Sequence, residues 1–181
     1  MSGGKNVTIL MGGISSERDV SLVSGKAVSD ALSKAGYQVT LLDMSDDISA
    51  VLQALDPAPD VVFNALHGRF GEDGCVQGLL DLLAIPYTHS GVLASALAMD
   101  KPMAKKLFET ENIPVAEHLV ASRDDVLAGD VMARPYVIKP MNEGSSVGVQ
   151  FVTDGANAPA LDGNSWPFGD RVMVERYVAG R

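Results

Sequence analysis

The residues best suited to chemistry in this 181-residue chain stand in three short segments. The richest is Lys139-Pro140-Met141-Asn142-Glu143-Gly144-Ser145-Ser146-Val147-Gly148. A lysine ending one strand, a turn of glycine and serine, and a second strand make a loop whose backbone N–H groups can approach phosphate oxygens, with the ammonium as counter-charge. It is not a Walker loop, because the lysine precedes the glycines and no helix follows to aim its dipole. Taken alone, the same residues also suit an ordinary polar hairpin. The second segment is His67-Gly68-Arg69-Phe70-Gly71-Glu72-Asp73-Gly74. Its three glycines let the backbone curl round a small ligand, while a histidine, an arginine and two carboxylates crowd one place. A lone histidine at a strand end is more often structural; the glycine density favours function here. The third is Glu17, just after Gly12-Gly13, which suits a ligand ammonium or, equally, the first turn of a helix, where a carboxylate stabilises the dipole.

The elements that must position these residues follow from periodicity. Val7 to Met11 is a continuous apolar run closed by a Gly-Gly turn, which reads as a buried parallel strand. From Val20 the apolar positions Val23, Ala27, Val28, Ala31, Leu32 and Ala35 recur at helical spacing, with Ser16 as N-cap and Gly36 as terminator. A strand at Gln38 to Leu42, a helix at Ile48 to Leu55 and a strand at Val61 to Leu66 continue the alternation. Such alternation implies a parallel sheet with right-handed crossovers, whose ligands bind beyond the carboxyl ends of the strands. The Glu17 and His67 segments both fall there. Helices at Val76 to Leu83 and Leu93 to Leu97 follow.

The texture then changes, and a domain boundary is expected near Ala98. Asp100 is placed to cap a helix with Pro102 in its first turn and Met103, Ala104, Leu107 and Phe108 as its apolar face. Strands are expected at His118 to Ala121, Tyr136 to Lys139, Val147 to Val152 and Val172 to Tyr177. Any helix between Asp154 and Gly169 should be short, since Gly, Pro and Asn crowd that stretch. The last strand is expected at the edge of its sheet, with its next partner missing.

Composition bounds the rest. Fourteen basic against 23 acidic residues give a net charge of -9, so nucleic acid and anionic membranes are not expected partners, and any phosphate site must be local. The single cysteine, Cys75, cannot form an internal disulfide and is expected as a small buried residue. The first residues have too short an apolar stretch for a signal peptide or membrane span, so a cytoplasmic protein is expected.

Four segments, GGISSERDVSL, HGRFGEDG, PYTHSGVLASALAMDK and KPMNEGSSVGV, stand in the order and roughly the spacing of the signature segments of the D-alanine–D-alanine ligases, so the chain resembles the amino-terminal part of that ATP-grasp family. The resemblance implies an α/β fold: a Rossmann-like parallel-sheet domain over residues 1–98, then part of an ATP-grasp α+β domain over residues 99–181. It implies that ATP phosphorylates one D-alanine and that the amine of a second attacks the acyl phosphate, giving the dipeptide of peptidoglycan. On matching positions, Glu17 would hold the ammonium of the first D-alanine with support from His67, and Ser145 would lie in the water and substrate network. Lys101 and Lys139 would bind the nucleotide, with Lys139 on the phosphates beside Glu143, Ser145 and Ser146. Glu175 would accept the adenine amino group, with backbone groups from Arg176 to Val178 on the ring edge. For Lys101 a solvated helix start, and for Glu175 an edge-strand charge, are the plain alternatives. Ile14, where a small or polar residue is expected, and the Asp154 to Gly169 stretch depart from the family pattern. The resemblance also implies magnesium and a homodimer for the full-length enzyme. No segment here matches the family's magnesium ligands, so the chain alone is expected to be inactive. Two other readings are a nucleotide- or D-alanine-binding fragment without catalysis, and a different ATP-grasp carboxylate-amine ligase.

Overall fold

The computed structural model describes residues 4–144, 146–155, 166 and 169–180. The chain divides into two compact units, Met1–Ala96 and Leu97–Arg181.

In the first unit β1 (Asn6–Gly12) leads into α1 (Arg18–Lys34), β2 (Gln38–Met44) into α2 (Ile48–Ala54), and β3 (Val61–Asn64) into α3 (Cys75–Leu82). The three strands form a parallel sheet in the order β2-β1-β3. β1 is central, with Val7 opposite Val39 on one side and Val61 on the other. That position explains its unbroken apolar run: both faces are covered, so alternation with polar residues would bury unpaired groups. Val7 and Ile9 pack with Ala65, Val28 and Leu32 on the α1 face. Leu10 faces the other way, onto Val51, Leu55, Val62, Val76 and Leu80. Each such fully buried aliphatic side chain contributes roughly 1.5–3 kcal/mol.

The face of α1 differs from the apolar stripe expected. Val20 and Val23 are 53% and 72% exposed, and the fully buried positions are Ser21, Gly25 and Ser29. The reason is close packing. A Cβ on Gly25 would lie 2.6 Å from Met11 Cβ, and the Ser21 hydroxyl accepts from Gly12 N (2.9 Å) and donates to Ala65 O (2.7 Å). The helix is thereby tied to the carboxyl ends of β1 and β3 by small residues. Its N-cap is Glu17 rather than Ser16, with no side-chain capping bond; Ser15 instead bonds the Glu17 amide and the His67 carbonyl. Gly36, at φ 91°, takes the left-handed position after the helix, where the Gly36 and Tyr37 amides close on Ser33 and Leu32.

α4 (Val92–Met99) crosses the junction of the two units. The second unit contains α5 (Lys101–Thr110), β4 (His118–Ser122), α6 (Arg123–Ala128), β5 (Tyr136–Pro140), β6 (Gln150–Val152) and β7 (Arg171–Arg176). The strands make an antiparallel sheet in the order β4-β7-β5-β6. One face of it carries Ala121, Tyr136, Ile138, Val152, Val172 and Val174. Four expectations are corrected here. β7 is an interior strand with a partner on each side, not an edge. α6 was not foreseen, although Ser122 and Asp125 form a reciprocal capping box at its start. β6 begins at Gln150, because residues 146–148 form a turn. On α5, capped by Asp100 as expected, the apolar residues Met103, Leu107 and Phe108 are 42–46% exposed, whereas the Lys105 side chain is only 12% exposed. Between Asp154 and Gly169 the expected short helix falls largely outside the described residues.

Candidate functional site

Each unit carries one glycine-rich segment at strand ends, and the two are held by different groups. In the first unit Glu17 is 4% exposed. Its Oε2 is buried and has no hydrogen-bond partner among the described residues. The loop after β3 lies directly against it. Gly68 sits at φ 67°, and a Cβ there would lie 2.9 Å from Glu17 Oε2, so only glycine admits both the backbone turn and the close approach.

The loop is fixed from within. Asn64 Nδ2 and Gln77 Nε2 both donate to the Gly71 carbonyl, at 2.8 and 2.9 Å. Asn64 Oδ1 accepts from Leu66 N at 3.1 Å. Glu72 Oε2 takes the Gly68 amide at 2.7 Å, and Asp73 takes those of Phe70 and Cys75. His67 is part-buried, with Nε2 3.3 Å from Ser24 Oγ and Nδ1 3.9 Å from Glu72 Oε1. Beside the loop a cleft of about 410 Å³ opens at the carboxyl ends of β1 to β3, lined among others by Gly13, Ile14, Met44, His67 and Phe70. Ile14, the departure from the family pattern, is 57% exposed on it. Cys75, expected buried, is exposed at the start of α3; burial of part of its surface, then the Asp73 carboxylate, push its thiol above the ordinary range.

In the second unit the Lys139 ammonium, ending β5, meets Glu175 Oε2 on β7 at 2.6 Å. Lys139 stands opposite Met173 and Glu175 opposite Val137, so the pair is diagonal on one sheet face. The other oxygen, Oε1, takes Lys105 at 3.2 Å, and Lys105 also donates to Ala116 O at 3.1 Å. Burial pushes the Glu175 carboxyl up, but the hydrogen bonds from Lys139 and Lys105 outweigh it and hold the group below its ordinary value. The hairpin itself is grasped by Lys101, whose ammonium donates to Glu143 O and, at 3.5 Å, to Met141 O. The Lys101 amide also bonds Met141 O. Burial, and next the Lys139 ammonium, pull Lys101 below its ordinary value. Two cations that disfavour each other at the base of a glycine-rich turn form a local anion-receptive field in a chain of charge -9. Ser146 is at φ 61° in the turn; Ser145 lies outside the described residues. The Arg176 and Tyr177 amides are committed to Glu117 O and Pro135 O, and Val178 is 69% exposed beyond them.

Among the described residues no three His, Cys, Asp or Glu side chains converge as a divalent cation requires, so magnesium has no fitting site there. Lys105, Asn64 and Gln77 were not foreseen. The signals were present: Lys105 lies one turn from Lys101, and Asn64 and Gln77 interrupt apolar runs.

An α/β unit with a parallel sheet, followed by an antiparallel unit whose lysines flank a glycine-rich hairpin, is the order of elements that the amino-terminal part of solved ATP-grasp ligases shares. The comparisons narrow it. The family model described as D-ala D-ala ligase N-terminus matches residues 48–90. The D-alanine–D-alanine ligase of Rhodospirillum rubrum is 61% identical over 178 residues, covering 98% of this chain and 59% of that protein. The crystal structure of the D-alanine–D-alanine ligase from Bacillus anthracis superposes with a TM-score of 0.80 at 31% identity, covering 98% of this chain and 59% of that one. The same enzyme complexed with ATP gives 0.78 at 29% identity, covering 98% and 60%. By sequence and by fold the chain is similar to the amino-terminal part of the D-alanine–D-alanine ligases. It spans about three-fifths of the length of the relatives it matches.

Proposed function

We propose that the chain is the D-alanine- and nucleotide-gripping part of an ATP-dependent D-alanine–D-alanine ligase acting in peptidoglycan precursor synthesis. The observation that carries the reading is the unpaired, buried Glu17 Oε2 against Gly68. A buried carboxylate oxygen without a donor is costly, and a small ligand bringing an ammonium would relieve that cost. Glu17 then orients the first D-alanine, and His67, fixed through Ser15 and Ser24, closes the loop over it. On the nucleotide side Lys139, supported by Lys101, offers positive charge to the phosphates, with Glu143 and Ser146 beside them; Ser145 joins them on the strength of the family resemblance. Glu175 and the Arg176 to Val178 segment take the adenine. Because the Arg176 and Tyr177 amides are already engaged, ring-edge pairing would fall to backbone carbonyls and to Val178. Magnesium, when bound, would neutralise charge on the transferring phosphate.

Positioning two reactants and stabilising charge is what these groups can do. The alternative of a binding fragment without chemistry holds for the 181-residue chain by itself. A different carboxylate-amine ligase is disfavoured by Glu17 and the loop from His67 to Gly74, which serve the amino acid rather than the nucleotide. The test is ADP release with D-alanine, ATP and magnesium, for the chain and for a version continued with the remaining part of the Rhodospirillum rubrum relative. Turnover is expected only from the extended protein. If the extended protein releases no D-alanine-dependent ADP while folded, the ligase reading fails.

A further inference from the structure

Glu175 is held by two lysines whose surroundings differ, and the difference assigns them different tasks. Its side chain is 15% exposed, on an interior strand. Lys139 is 28% exposed and stands at the foot of the glycine-rich hairpin, where a short swing of its flexible stem redirects the ammonium. Lys105 is 12% exposed and is pinned a second time by the Ala116 carbonyl. If both lysines were mobile, a ligand drawing them away would leave a carboxylate unpaired at low exposure, which is strongly unfavourable.

We propose that Lys105 is a positioning residue for base recognition: it keeps Glu175 ionised and aimed when Lys139 leaves the carboxylate for the phosphates of an incoming nucleotide. The proposal rests on the nucleotide reading of the second unit given above. Lys139 occupies Oε2 at 2.6 Å as a placeholder. Its departure opens that oxygen while Lys105 still holds Oε1. An ionised carboxylate accepts hydrogen bonds and cannot donate one, so the opened Oε2 favours a purine bearing an exocyclic amine over one bearing a carbonyl there. Without the Lys105 charge the buried carboxyl tends to take up a proton and becomes a donor, and the preference weakens. Lys105 therefore acts on base selectivity without touching the base.

The experiment measures ATP and inosine triphosphate binding by calorimetry in the carboxyl-extended protein, with the KM for D-alanine and the thermal midpoint recorded in parallel. Lys105→Met is expected to lower the ATP-over-ITP preference about tenfold, the scale of one hydrogen bond to a charged group, with the D-alanine KM within twofold of the parent. Lys105→Arg, which keeps the charge, should restore the preference. If Lys105→Met is unfolded at the assay temperature, Lys105→Gln, which keeps a donor but no charge, reads the same ratio. An unchanged ratio in the Met or Gln variant overturns the proposal, as does an equal loss of ATP and ITP that Arg does not rescue. Glu175→Gln separates this from the parent reading. If it leaves the ratio unchanged, Glu175 does not read the base and the nucleotide assignment fails. If Glu175→Gln collapses the ratio and Lys105→Met does not, only the role of Lys105 fails.

Discussion

The loop after β3 and the hairpin after β5 are both glycine-rich and both stand at strand ends, yet they are built from opposite materials. In the first unit the buried side of the loop is gripped by uncharged groups, the Asn64 and Gln77 amides, 3% and 1% exposed, which converge on the Gly71 carbonyl, while the Glu72 and Asp73 carboxylates take the Gly68, Phe70 and Cys75 amides. In the second the grip is ionic, with Lys101 on the Glu143 and Met141 carbonyls and Lys105 and Lys139 on Glu175. On the reading proposed above, the chemistry of each ligand accounts for the contrast. A site for an ammonium needs one unpaired carboxylate, Glu17, and competing cations in its frame would satisfy it prematurely. A site for phosphates needs surplus positive charge, and lysines that already hold the frame supply it. Hydrogen bonds between uncharged amides are insensitive to salt and pH; ion pairs are not.

The largest expected effect tests the ionic side. In the carboxyl-extended protein, Lys139→Ala should weaken ATP binding by about 10- to 150-fold, the range of 1.5–3 kcal/mol for a hydrogen bond to a charged group. Binding of D-alanine alone should change less than twofold. Calorimetric titration of each ligand separately is the measurement, and equal losses for both would break the distinction between the two segments.

The next effect tests the neutral side. Asn64→Leu removes one donor from Gly71 O and leaves the buried Leu66 amide without its acceptor, so a loss of about 2–3 kcal/mol is expected. Gln77→Leu should cost less than about 1 kcal/mol. It too removes a donor from Gly71 O, but Asn64 still serves that carbonyl, and the substitution also deletes Gln77 Oε1, which is buried without a partner among the described residues. Urea midpoints at 0.05 and 0.5 M salt decide both. The two losses should be unequal and independent of salt; a salt-dependent loss at Asn64 would mean that charge holds this loop as well.

How far the sequence foretold this arrangement depended on whether the signal was carried by hydrophobicity. The parallel sheet of the first unit was legible because strands covered on both faces read as unbroken apolar runs, as in Val7 to Met11. The contact face of α1 was legible only at Val28 and Leu32, because Ser21, Gly25 and Ser29 pack by being small and carry no apolar signal. On α5 the pattern misled outright: its apolar residues are the exposed ones, since the inward face is occupied by lysines with acceptors far along the chain. Lys105 and Glu175 are 70 residues apart, and no local spacing connects them. Glycine did mark the His67 and Lys139 segments as candidates, and the structure sets Glu17 against Gly68 and Lys139 against Glu175. Their supports, Asn64, Gln77 and Lys105, were missed because a polar residue in a buried run shows that it needs a partner without showing which one.

The smallest expected effect is the pH dependence that follows from the contrast. Glu175 is held below its ordinary value by Lys139 and Lys105 against the opposing effect of burial, so its contribution is fully present above the unfolded carboxylate value, about 4.3, and is lost as pH falls through the lower folded value. Asp130 and Asp125 in the same unit are also held low, by hydrogen bonds from Arg134 and Ser122 respectively, but both are exposed and solvent screens them. Lys101 is lowered, by burial and then by Lys139. The unfolded chain therefore binds more protons in the window below the ordinary lysine value, and stability rises with pH there too. In the first unit Asp43 is held low by its hydrogen bond to Arg18, but those side chains are 46% and 44% exposed, and solvent screens the pair. Hydrogen-exchange protection at pH 3.5 relative to pH 7 should therefore fall more for the β5 and β7 amides than for those of β1 and β3. An equal fall in both sheets would show that acid acts through the exposed carboxylates common to the whole surface, and the ionic frame would lose its claim to a distinct titration.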